Sequence, residues 1–413
     1  MKYIEKRAHE LYTSSSGLSK PADQFGFGFP FLSYSDIFHN YFVPTELKTL
    51  VNSTEKDRET CSIKRGDVFL TRTSETTDEL GMSCVALRTI ENATFNGFAK
   101  RLRPITDEIV PEYAAYYFRS PYFRAQCMSM ASLITRASLN DNMIGRLKIR
   151  YPEDRKDQMK IARILMEYDE SIIANSKRIN ILGEMAENLY KEWFLRKRYP
   201  GNIKDRKPIT QGKWEVQRLC EFGITLDSGS RPAGGIDYSL KEGIPSLGAE
   251  AVNELGEFDY STVKLIPYEY FAKMKRGKNT GDDILIYKDG AYIGKTTIFM
   301  QGFPFETFAV NEHVFLLNAI NHVYQYYLFF TLHLPEYYYL MQNLNRNAAQ
   351  PGLSKQDIER IKIIIPDEDL VREFNKLLSP FLSELFLLAK NNYILQRQRD
   401  GLLPRLMSGK LTV

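Results

Sequence analysis

Two kinds of hydrophobic pattern alternate along this chain, and the succession occurs twice. The first kind is short and of period two. It covers FPFLSYSDIF and GDVFLTRTS in the first half, and GIPSLGAEAV and GDDILIYKDGAYIGKTTIFM in the second. Val, Ile, Phe and Tyr at alternate positions, bounded by Gly, Asp and Asn, predict strands and hairpins. A tyrosine-rich stretch follows in each half, EYAAYYFRS and VYQYYLFFTL, and predicts a short helix. Each half then reaches a strand closed by proline, LKIRYP at Pro152 and IKIIIP at Pro366.

Beyond each proline the period lengthens. Leu165, Tyr168, Ile172, Asn175, Ile179, Leu182, Ala186, Leu189 and Trp193 advance by alternate steps of three and four. Val371, Phe374, Leu378, Phe381, Leu385, Leu388, Asn392, Leu395, Arg399, Leu402 and Leu406 do the same. That is the seam of a coiled coil. Two long helices are predicted, packed on each other antiparallel; the alternative is that each lies on its own domain. Pro380 falls inside the second pattern, where it kinks the helix or delays its start. Asn175 and Asn392 fall on the seam at an offset different from that of the repeat, so they need not face each other.

The halves are related by sequence as well as by pattern. Leu139, Ile144, Arg146, Leu147, Lys148, Ile149 and Pro152 match Leu353, Ile358, Arg360, Ile361, Lys362, Ile363 and Pro366, all at one spacing of 214 residues. Pro30, Leu32, Gly66 and Asp67 match Pro245, Leu247, Gly281 and Asp282 at one residue more. A period of this size is a duplicated domain, since solenoid units repeat every ~20–50 residues. The expected fold class is mixed α/β (α+β). The layout is a first domain over 1–151, a first long helix over 152–200, a linker over 201–213, a second domain over 214–365, a second long helix over 366–408, and a tail over 409–413.

Composition narrows the class. With 43% hydrophobic and 26% charged residues, a globular protein is expected. Cys61, Cys84, Cys127 and Cys220 show no metal-ligand or paired spacing, which reads as reduced thiols in a cytoplasmic protein. The start MKYIEKRAHE has no apolar run of a signal peptide, and no segment reaches the ~18 apolar residues of a membrane span. The net charge of +4 does not decide for or against nucleic acid, so the local arrangement must.

Catalytic signatures are missing. GAYIGKT (290–296) resembles a phosphate loop but has three residues between its glycines where four are needed, and reads better as a hairpin. Asp36, Glu46 and Lys48 imitate a nuclease D…E-x-K arrangement at a frequency close to chance. His9, His39, His313, His322 and His333 lack metal-ligand spacing. Cations cluster around the hairpins instead. Lys64, Arg65 and Arg72 flank one; Lys100, Arg101 and Arg103 flank another; Lys273, Lys275, Arg276 and Lys278 precede a third, which Lys288, Tyr292 and Lys295 decorate. With Lys20 and Arg231 they are the candidate DNA contacts, since Arg and Lys position phosphates and neighbouring polar side chains read base edges. Three readings stay open: a non-catalytic DNA-specificity scaffold, a stand-alone DNA-modifying or DNA-cutting enzyme with cryptic catalytic residues, and an adaptor that binds only protein.

The layout resembles the specificity subunit of type I restriction–modification systems over nearly the whole chain. The resemblance rests on the paired LKIRYP and IKIIIP junctions, the hairpins at Gly66 and Gly281, the openings SSGLSKP (15–21) and SGSRPAGG (228–235), and the terminal LLPRLMSGKLTV. WEVQRLCEFG (214–223) fits the family's tryptophan-led domain opening, whereas the N-terminal IEKRAHELY has no tryptophan, so the first opening is expected to be shortened or divergent. The resemblance implies that each domain reads one half of a bipartite, asymmetric site in double-stranded DNA, with the helices as a ruler. It also implies two modification subunits using S-adenosylmethionine, and restriction subunits using ATP and Mg. This chain would bind none of those cofactors and would carry no catalytic residue, metal or membrane segment.

Overall fold

The computed structural model describes every residue except 75–78, 131, 134–136, 200–213 and 345–351. The expected linker, 201–213, lies outside the described residues. The chain forms two compact units. One is Met1–Ser171 with Leu395–Val413, the other Ile172–Ile394, so the division falls inside both long helices.

The same three sheets recur in the two units. In the first, Tyr12–Ser16, Ala99–Pro104, Val68–Thr71 and Ser83–Val85 form a four-stranded antiparallel sheet in that order. In the second, Ile224–Ser228, Val314–Ala319, Asp283–Tyr287 and Thr296–Phe299 do so. A three-stranded sheet with one parallel and one antiparallel pairing is built on Phe25–Leu32 and again on Ile244–Leu247. A two-stranded ladder joins each unit's opening strand to its proline-closed strand: Tyr3–Arg7 to Lys148–Pro152, and Glu215–Arg218 to Lys362–Ile365.

Two sequence expectations change here. The first domain's opening is not shortened. Arg7 and Arg218 both precede a one-turn helix whose third residue, Glu10 or Glu221, accepts the arginine's own N–H at 2.7 and 2.9 Å. The shared signal is R-x-x-E, a helix-start bond, and tryptophan is incidental to it. The Gly-Asp match is out by one residue. Asp67 is fully buried and accepts the Lys64 N–H at 2.7 Å; the residue in that role in the second unit is Asp283, which accepts the Thr280 N–H at 2.9 Å. Their partners on the adjoining strand are Arg103 and Asn318. One partner is a cation and the other a neutral amide, which hid the equivalence.

The tyrosine-rich helices, Pro111–Tyr117 and Gln325–His333, bind each domain to its junction strand. A buried tyrosine hydroxyl needs a partner. Tyr113 and Tyr117 donate to the Arg150 and Lys148 carbonyls at 3.3 and 3.1 Å, and Tyr324 to the Pro366 carbonyl at 2.9 Å. Cys61, Cys84 and Cys127 are buried free thiols, and Cys220 is an exposed one.

The long helices span Arg155–Tyr190 and Glu368–Met407. In the first unit Ile161, Ala162 and Leu165 share a core with Leu403, Leu406 and Met407. Beside it Arg399 pairs with Asp169 and lies 4.8 Å over the Tyr41 ring, and the Tyr116 hydroxyl donates to Asp169 at 2.5 Å. Burial disfavours the Arg399 charge, but Tyr41, Asp169 and Asp400 outweigh it and hold the guanidinium ionised. In the second unit Ile179, Ala186, Tyr190 and Trp193 share a core with Phe374, Leu378, Leu382 and Leu385. There Asn175 donates to Asn392 at 2.9 Å and Arg178 meets Glu384, so the paired segments run antiparallel. The two asparagines do face each other: antiparallel partners keep a constant sum of residue numbers, so the repeat offset says nothing about them.

Along the seam Leu165, Ile179, Leu378, Leu385, Leu388 and Asn392 are buried; Tyr168, Ile172, Asn175, Leu182, Leu189 and Leu395 are half-buried. Phe381 is also half-buried, and Leu382 takes the inward place, because a straight helix drifts from an ideal seven-residue repeat. The second helix neither starts late nor stops at Pro380, which is exposed. Val371, Phe374 and Leu378 before it, and Leu382 and Leu385 after it, are buried. Burial of those side chains, ~1.5–3 kcal/mol each, outweighs the ~3 kcal/mol of an interior proline.

Candidate nucleic-acid interface

Strand register divides each four-stranded sheet into two ends. In the second unit Ser228 pairs with Phe315, Tyr287 with Val314 and Ile286 with Thr296. The segments that leave this end are 229–243, 288–295 and 310–313. A fourth, 274–278, folds onto it: the Val310 N–H donates to the Gly277 carbonyl at 2.8 Å. This one end therefore gathers Arg231, Lys273, Lys275, Lys278, Lys288, Tyr292 and Lys295, which the sequence scatters over 65 positions.

Not all of these cations are available. Arg231 pairs with Glu312 at 3.2 Å, and Lys295 with Glu254 at 3.0 Å. Lys288 donates to the Glu312 carbonyl and lies over Phe315; Lys278 lies 4.7 Å over Phe271. His313 bridges Asp289 and Glu312, which ties the hairpin loop to the carboxylate that holds Arg231. Lys273, Lys275 and Arg276 are exposed, and among the described residues none of them makes an ion pair. Tyr292 projects from the hairpin turn at 60% exposure. GAYIGKT is that turn, between antiparallel strands.

The first unit separates its candidates. Ser16 pairs with Lys100 and Thr71 with Ala99, which places Lys20 and Arg72 at the equivalent end. Lys64 and Arg65 precede Val68, which pairs with Leu102, and so lie at the other end. Lys100 and Arg101 leave the candidate surface. At 4% and 7% exposure they are strand residues facing inward, Lys100 bonded to Asp141 and Arg101 to the Ser62 carbonyl at 2.7 Å. Lys20 pairs with Asp57, whose carboxyl is drawn down to about 2 by the Thr54 backbone N–H and then by the Lys20 ammonium. Arg65 pairs with Glu112. Asp36 of the nuclease-like trio caps the helix Tyr34–His39 through Ser33.

The two opening motifs have one physical cause. A Cβ on Gly17 would lie 2.3 Å from the Asn96 carbonyl oxygen, and one on Gly229 would lie 1.7 Å from that of Val310. Glycine lets the chain cross the neighbouring segment at contact distance as it leaves the sheet. The next cations, Lys20 and Arg231, each precede a proline and each meet a carboxylate. Sequence reasoning missed Glu312, Asp289 and Asp141, because each carboxylate is distant in sequence from the side chain it holds. Among the described residues no group of three or more His, Cys, Asp or Glu is placed to hold a metal ion, and no helix is long and apolar enough to cross a membrane.

A mixed domain built twice, each copy running into a long helix, with basic loops gathered at one sheet end of the second copy, defines a class of duplicated recognition proteins. The family model for the type I restriction modification DNA specificity domain matches residues 12–182 and 211–394, and the chain belongs to that family. Its role is that of a specificity subunit of type I restriction–modification systems. It is 25% identical, over 98% of its length and 91% of the relative's, to the type I restriction enzyme MjaIX specificity subunit of Methanocaldococcus jannaschii. It is 22% identical, over 76% of its length and 71% of the relative's, to the putative MjaX specificity subunit of the same organism. Its fold is similar to the crystal structure of a type I restriction–modification S subunit from M. genitalium, with a TM-score of 0.57 at 15% identity, covering 98% of this chain and 96% of that one.

Proposed function

We propose that each domain reads one half of a bipartite, asymmetric site in double-stranded DNA, and that the long helices set the unread interval and hold two modification subunits. Methyl transfer to adenine belongs to those subunits with their S-adenosylmethionine. Translocation and cutting belong to restriction subunits with ATP and Mg. This chain has no catalytic residue in either reaction. The observation that carries the reading is the recurrence of three sheets in both units with unlike loops at the equivalent ends: residues 17–24 in one unit correspond to 229–243 in the other. One frame with two loop sets suits a ligand with two related but different parts. The first helix, 36 residues long, measures ~54 Å. That exceeds one ~34–36 Å turn of B-DNA, enough to separate two half-sites on the same side of a duplex.

Methylome sequencing of cells carrying the chain and a modification subunit tests this. One asymmetric, interrupted site methylated at adenine is expected, and exchange of residues 1–151 for those of a relative should change one half-site only. Methylation or cutting by the purified chain alone would establish the catalytic alternative. A pattern indifferent to the exchange would establish a protein-only adaptor.

A further inference from the structure

The loop 229–243 nearly doubles its counterpart 17–24, and the added length is held at both feet and open at its tip. At the first foot Gly229 packs on Val310, and the Ser230 and Tyr270 hydroxyls are 2.7 Å apart. Arg231 is fastened to Glu312. At the second foot a Cβ on Gly243 would meet the Ile266 carbonyl oxygen at 2.4 Å. Between the feet Ile236 and Leu240 are half-buried along a groove shared with Val263 and Leu265. At the tip Gly234 and Gly235 take φ of +91° and +88° with nothing within 4 Å of an added Cβ. The Asp237 carboxylate is engaged by its own turn, accepting from the Ser239 N–H and hydroxyl at 2.9 and 2.6 Å. Tyr238 stands out at 82% exposure, more than any other exposed large hydrophobic side chain described.

Much of this ring's apolar area stays in water unless a partner covers it. The neighbourhood says which partner. Gly277 packs on Gly229, which places the exposed cations Lys273, Lys275 and Arg276 beside the first foot of the loop. Cations without ion pairs suit phosphates, and a ring carried on a projection anchored at both feet suits base edges or the thymine methyl. We propose that residues 229–243 form a reading arm for the second half-site, with Tyr238 as its base contact; this rests on the function proposed above. Arg231 and Glu312 are positioning residues for the arm. Among the described residues the counterpart segment 17–24 forms no equivalent projection.

The test uses the full chain with its modification subunit and methylome sequencing. Wild type, Tyr238→Ala, Tyr238→Phe and an arm shortened by removal of 233–239 are compared, with the second half-site assigned beforehand by exchange of residues 1–151. Tyr238→Ala should relax one base position of the second half-site, raising methylation at its mismatched sites about tenfold or more. The first half-site and the spacer should stay as in wild type, and Tyr238→Phe should relax the position less. The shortened arm should relax the same position. A second half-site unchanged in both Tyr238→Ala and the shortened arm overturns the proposal, as does a change confined to the first half-site or to assembly with the modification subunit. If wild type itself yields no interrupted site, the proposed function fails instead, and the two failures are distinguishable.

Discussion

Arg399 is the only arginine on either seam, and the first unit is arranged around it. With 14% of either side chain exposed, it and Asp169 form a nearly dry ion pair completed by the Tyr116 hydroxyl and the Tyr41 ring. Removing one member of such a pair leaves the other desolvated and uncompensated. Arg399→Ala, which leaves Asp169 with the Tyr116 hydroxyl alone, should therefore lower unfolding stability by about 3 kcal/mol, whereas Glu153→Ala, which breaks the exposed Lys2–Glu153 pair, should change it by less than about 1 kcal/mol. Denaturant titration of both variants decides; equal losses would show that the pair is not buried in effect. The asparagine pair gives a second expectation. Asn175→Leu alone should destabilise by about 1–2 kcal/mol by stranding the Asn392 amide, and Asn175→Leu with Asn392→Leu should restore stability. A double variant weaker than either single one would contradict this account. At this scale the sequence was only partly legible. Lys100 and Arg101 looked like surface cations because their partners, Asp141 for Lys100 and the Ser62 carbonyl for Arg101, lie 41 and 39 residues away, and only the fold brings them together.

Elements were more legible than residues, because period is a local signal. The seam, the tyrosine-rich helices and the proline-closed strands all follow from spacing. The exceptions have specific causes. SYSDIF looked strand-like in its alternation, but the Ser33–Asp36 reciprocal bonds start a helix there. Pro380 looked like a break because local preference opposes it, while burial on both sides keeps the helix continuous. The rod-like role of these helices can be tested by length. Deleting one heptad within 165–193 and a matching one within 378–406 removes ~10 Å, about three base pairs of DNA. The methylated site should keep both half-sites and lose about that much of its unread interval. A changed half-site with an unchanged interval would mean that the helices do not measure the spacing.

For the molecule as a whole, duplication was visible in one run of seven matched residues, and the three sheets found twice are its structural counterpart. The second unit's cluster of basic loops was not visible in the same way, since it is assembled from four segments whose meeting depends on strand order. One consequence of the fold concerns the making of the protein. Leu403, Leu406 and Met407 belong to the core of the unit that begins at Met1. As the ribosome proceeds, Ile161 and Leu165 wait uncovered until Leu403, Leu406 and Met407 have been made. A stop codon before residue 403 would therefore damage the unit that holds Met1 as well as the second helix. The unit whose residues are translated first is thus the later of the two to be completed.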